Sequence, residues 1–169
     1  MNRRERYIVT RAGILAVLSL MTVASAFGQE ATTNQTLTLQ VFETNRIDIN
    51  QRAVTMVIDQ ASLETGAPIE ATNEDGSLFW ITNGENKKIT VASNNAAPRF
   101  LVKVNALDVS GSSGVAAPEV NLNDNTTKDF VVGVSRSWGK CKIRFVASAR
   151  VSDGVGTETH LITYTITGS

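Results

Sequence analysis

A single cysteine, Cys141, rules out an internal disulfide. Small secreted domains commonly lean on such bridges, so this chain must be stabilised by its core. The only histidine is His160. One His and one Cys cannot fill a tetrahedral zinc site without carboxylates. A Ser–His–Asp system would need His160 as its base, and no G-x-S-x-G motif accompanies it. Charge of one sign is also missing, with 16 Lys+Arg against 16 Asp+Glu. Nucleic-acid binding draws on a basic patch, and this balance argues against one. Aromatic residues make up only 6% of the chain, too few for an extended sugar-stacking surface. The one long apolar run, Ala12 to Val23, is too short to span a bilayer as a helix.

That run has another explanation. Arg3, Arg4, Arg6 and Arg11 precede or open it, and Ala24-Ser25-Ala26 closes it. A basic n-region, a short apolar core and a small-x-small site describe a cleavable signal peptide. Residues 1–26 are therefore expected to be removed, with cleavage after Gly28 as the alternative. Arg6 stands where a twin-arginine signal carries an apolar residue, which favours the general secretory route. No cysteine near the cleavage point marks a lipoprotein. Residues 1–26 contain four Arg and one Glu, so the remaining 143 residues hold 12 basic and 15 acidic side chains, a net charge near −3. The expected product is secreted, periplasmic or on the cell surface, with no membrane attachment after cleavage.

The rest reads as one β domain, residues 36–169, behind a flexible polar segment, 27–35. The clearest signature is period-2 alternation. Cys141, Ile143, Phe145, Ala147, Ala149 and Val151 fall on one side, and Lys142, Arg144, Ser148 and Arg150 on the other. Ile162, Tyr164 and Ile166 then alternate with threonines beyond the Gly-rich stretch Ser152 to Thr157, which predicts a hairpin. Cys141 and Phe145 are expected in the core, with Cys141 a buried, inert thiol. Thr36 to Phe42 predicts a first strand, with Leu37, Leu39 and Val41 on one face. Ile47 and Ile49 make a second piece, and Ala53 to Asp59 a third. Ser62 to Asp75 reads as loop. Ser77 to Thr82 is apolar on both faces, placing Phe79 and Trp80 in the core of a central strand. Asn83-Gly84 predicts a hairpin to Ile89 and Val91. Further strands cover Arg99 to Val109, Val120 to Leu122, and Phe130 to Val134. Eight or nine strands separated by turns predict an all-β, antiparallel two-sheet sandwich, Ig-like or jelly-roll-like.

Functional signals are sparse. Trp138 sits beside Gly139 at a predicted turn. An exposed Trp there would stack on a sugar ring or anchor a protein; otherwise it folds back over the end of the sandwich. Trp138 is the candidate ligand-binding residue. Asn73 to Gly76 and Asn121 to Asp129 carry enough oxygens for calcium, but turn chemistry uses the same residues. Asn34-Gln-Thr36 and Asn125-Thr-Thr127 fit the N-glycosylation pattern. No catalytic, cofactor or metal residues are assigned.

The two terminal strands carry one further signal. Thr36 to Phe42 follows a polar lead, and His160 to Thr167 alternates with Tyr164 close to the end. In this the chain resembles small secreted bacterial β-sandwich proteins, fimbrial or pilin-like or Ig-like surface modules, although their usual paired cysteines are absent. The resemblance implies a non-catalytic structural or adhesion module, a filament subunit whose first strand pairs with the open edge of a neighbouring copy. The alternative expectation is a carbohydrate- or ligand-binding sandwich using Trp138.

Overall fold

The structure, a computed structural model, describes residues 32–59 and 70–169. The expected signal peptide lies outside them. The chain divides into two units, residues 1–39 and 40–169. In the first, residues 32–39 are solvent-exposed and form no regular secondary structure. The second is an antiparallel β-sandwich of nine strands among the described residues.

One sheet has the order β1-β2-β8-β4-β6, from Asn45–Ile49, Ala71–Thr82, Ser137–Ser148, Leu101–Gly111 and Val120–Asn121. The other has the order β5-β7-β3-β9, from Val115–Ala116, Lys128–Val134, Lys87–Ser93 and Ile162–Gly168. From β2 onward every connection passes from one sheet to the other. Beyond the β1–β2 pair, chain neighbours therefore never pair, and each ladder joins distant segments. This corrects both predicted hairpins. Asn83-Gly84 leads from β2 into the opposite sheet, and Ser152 to Thr157 leads from β8 likewise.

The reason at Asn83 is visible. Its side chain is not free to shape a two-residue turn, because it bonds backbone next to β1. Asn83 Oδ1 accepts from Thr44 N at 2.6 Å and Nδ2 donates to Phe42 O at 2.8 Å. Gly84 N donates to Thr82 Oγ1 at 3.0 Å, and Asn86 takes φ 50°. These contacts turn the chain across the sandwich instead of back along β2.

The core is where the two inner faces meet. Leu78 and Trp80 come from β2, Val104 and Ala106 from β4, and Cys141 and Ile143 from β8. Ile89 and Val91 from β3, and Phe130, Val131 and Val134 from β7, close it from the other side. Burying such side chains is the main favourable term available to a chain without disulfides. Phe130 stacks on Tyr164 of β9, with ring centroids 5.1 Å apart and planes tilted by 60°.

Alternation fails in instructive places. In β7 the register against β3 shifts on both sides of Ile89, and Gly133 takes φ 68°. The bulged strand buries Val131 and leaves Val132 half-buried. In β8 Phe145 is only half-buried, while Val146 and Ala147 are buried. Phe145 is thus a flank of the core. Ala71 to Asp75, expected as loop, opens β2, with a bulge between Asn73 and Gly76. Val54, Met56 and Ile58 are half-buried with exposed residues between them, as a strand would place them. Residues 51–59 nonetheless join no ladder among the described residues.

Candidate functional site

Thr36 to Phe42, expected as the first strand, has no ladder partner among the described residues. Its large side chains are in water: Leu37 is 78% exposed, Leu39 81%, Val41 83% and Phe42 72%. Four apolar side chains at such exposure within six residues are unusual; singly exposed ones need no explanation. The backbone that follows is held firmly. The Asn83 side chain pairs with Phe42 and Thr44 as a backbone strand would, and Asn83 N donates to Thr44 O at 3.3 Å. Lys87 Nζ lies 2.7 Å from Glu43 Oε1. Hydrogen bonds from Lys87 and Asn45 hold the Glu43 carboxyl below its usual pKa. The alternating segment thus begins from a fixed root, Phe42 to Thr44.

Beside this root lies Trp138. It stands in β8 and not in a turn; the turn is at Ser135-Arg136, where Arg136 takes φ 40°. Gly139 explains its outward direction. In the ladder Gly139 faces Trp80, and a Cβ there would come within 2.2 Å of the Trp80 ring. The missing side chain lets the Trp80 indole lie flat in the core. Strict alternation along the strand then sends Trp138 to the outer face, where it is 64% exposed. Opposite it is Ile81, and two residues along β2 is Phe79, both also exposed. Phe79 is therefore a surface residue, a correction to its expected place in the core. A cleft of about 280 Å³ runs beside Trp138, lined by Thr44, Ile81, Thr82, Asn83, Arg136 and Ser137.

A third constellation went unread in the sequence. Ser93 Oγ lies 3.0 Å from His160 Nδ1, and His160 Nε2 lies 3.3 Å from Glu158 Oε1. These are the atoms of a Ser–His–Glu relay, but Ser93 is 3% exposed and its Oγ also accepts from Asn95 N at 3.1 Å. A nucleophile needs an open approach, and this hydroxyl has none. Glu158 is equally occupied. Its Oε2 accepts from the backbone N–H of Arg99 at 3.0 Å and of Phe100 at 3.1 Å, and Oε1 accepts from Asn95 Nδ2. The cluster ties the end of β3, the β3–β4 connection and the β8–β9 connection together. No local motif announces it, because Ser93 and Glu158 are 65 positions apart in the chain.

Cys141 is 2% exposed, and burial pushes its thiol up to about 12. At the loop considered for calcium, Lys128 Nζ lies 3.1 Å from Asp124 Oδ1 and 2.9 Å from Asn123 Oδ1, and bonds Asn121 O. A lysine ammonium thus sits among the oxygens a cation would use. The other such segment, Asn73 to Gly76, is strand, with Asn73 Nδ2 donating to Asp75. Among the described residues no group of three or more His, Cys, Asp and Glu side chains is arranged to hold a metal ion, and no helix is long and apolar enough to cross a membrane. No family model matches the chain, and no curated protein matches it significantly.

Proposed function

We propose that this protein is a secreted, non-catalytic structural or adhesion module of the cell surface or extracellular matrix. It assembles with copies of itself by strand exchange through Thr36 to Phe42. The observation that carries this reading is the unpaired segment itself. It has the alternation of a strand, the β-branched and apolar residues of a strand, and no ladder among the described residues. An extended peptide of this kind gains its hydrogen bonds by joining the edge of another sheet. Its root, Phe42 to Thr44, is held by Asn83 and Lys87, which lowers the ordering entropy that pairing would otherwise cost.

The test is light scattering on chromatographed mature protein, residues 27–169, beside a Leu37→Ser/Leu39→Ser/Val41→Ser variant. Oligomers or fibres from the first and a folded monomer from the second are expected. A monomeric parent would end the strand-exchange reading.

A second reading rests on the outer face of the first sheet. Trp138, Ile81 and Phe79 form an exposed apolar row beside a cleft, a platform suited to a sugar ring or a protein partner. Glycan binding that is lost in Trp138→Ala, with melting unchanged, would favour it.

A further inference from the structure

Sheet edges in natural proteins are guarded, because unpaired N–H and C=O groups invite another strand. The four edges of this sandwich differ in that respect. β5 and β6 are two residues long each. β1 carries Arg46 and Asp48, with Arg52 3.8 Å from the Asp48 carboxylate. β9 is seven residues long, I-T-Y-T-I-T-G, and holds no charge at all. Among the described residues it is the one edge strand longer than two residues that carries no charge, and β1 of the other sheet is the strand that comes near it.

The backbone of β9 is also available. Leu161 O accepts from Asn94 N, and Ser169 N donates to Asn86 O. Odd-numbered residues therefore turn their polar groups toward β3. In an antiparallel ladder the alternate residues turn theirs the other way. Ile162, Tyr164, Ile166 and Gly168 present N–H and C=O to a side where no strand pairs among the described residues. The same three large side chains pack against the core yet remain only half-buried.

We infer that β9 is the acceptor edge, and that its occupant is the segment Thr36 to Val41 of a second copy. This rests on the strand-exchange reading above and names its partner surface. Leu37, Leu39 and Val41 are three apolar residues at alternate positions, matching Ile162, Tyr164 and Ile166. Thr36, Thr38 and Gln40 alternate with them, matching the exposed Thr163, Thr165 and Thr167. Pairing puts the first row over the half-covered flank of the core and the second beside threonines, a favourable cross-strand neighbour. Neither strand brings a charge to the seam.

The experiment uses residues 27–169 throughout. Thr38→Cys protein is mixed with Thr165→Cys, Thr163→Cys or, as a control, Asp48→Cys protein, and oxidised. Cys141 stays silent in its buried site. A disulfide-linked dimer between position 38 and 165 or 163, in excess over the control, is expected; the preferred partner reports the orientation. Thr165→Lys, on the solvent face of β9, should melt like the parent and lose assembly. If the Leu37/Leu39/Val41 variant abolishes assembly while Thr165→Lys assembles normally and the cross-link forms at Asp48→Cys, β9 is overturned as acceptor and strand exchange survives. If the parent is monomeric, both fall.

Discussion

Thr36 to Phe42 and Ile162 to Gly168 are similar in composition: threonine-rich, with apolar residues at alternate positions over most of their length, and without charge. One is the seven-residue partner of β3 and rests Tyr164 on Phe130; the other joins no ladder among the described residues and exposes every large side chain. Alternation therefore states that a segment is ready to be a strand. It does not state where its partner is. A strand acquires its place only when another edge offers matching polar groups and a face to bury against.

Substitutions at the two ends should separate most widely. Phe130→Ala removes a ring that is 1% exposed and supports Tyr164; it should cost ~3–5 kcal/mol in urea unfolding. Leu39→Ala should change the same curve by less than about 0.5 kcal/mol. Equal losses would mean that Thr36 to Phe42 is packed within its own copy, and the contrast would collapse.

Smaller is the effect expected at the tie between connections. Glu158→Gln places an amide where a carboxylate accepts from Arg99 and Phe100, losing about 1–3 kcal/mol. Because the tie joins the approaches to β4 and β9, amide exchange should rise first in residues 94–100 and near His160. Uniform protection would show that Glu158 is incidental.

The smallest effect is one of pH. Glu43 has a folded pKa held below the ordinary value by Lys87 and Asn45. A depressed carboxyl stabilises the folded state above its unfolded pKa, near 4.3, and that contribution fades as pH falls through the lower folded value. Acidification from neutral should leave the root of the segment intact until below about pH 4, then loosen it. Glu43→Gln should abolish this step in the exchange of Thr44 and Asn45. An unchanged step would assign it to another carboxylate.

Much of the architecture was legible in the chain. Period 2 in Cys141 to Ile143 and in Ile162 to Ile166 announces half-buried strands, and the absence of any long 3.6-residue pattern leaves an all-β sandwich. The inward Cys141 is legible for the same reason. Phe79 was not: a strand apolar on both faces looks central, and only the bare outer face of β2 shows that its second row is surface. Trp138 was legible only as an aromatic near a turn, with exposure and folding back over the sandwich both open. Its direction is set by Gly139 making room for Trp80, a contact across the ladder.

The sequence by itself determined the class of fold, the lack of disulfide support, the thiol's burial and the strand character of Ile162 to Ile166, because these follow from local periodicity and composition. Tertiary structure alone decided which strands pair. Every connection from β2 onward changes sheets, so pairing depends on contacts between residues far apart in the chain, and no local turn signal records them.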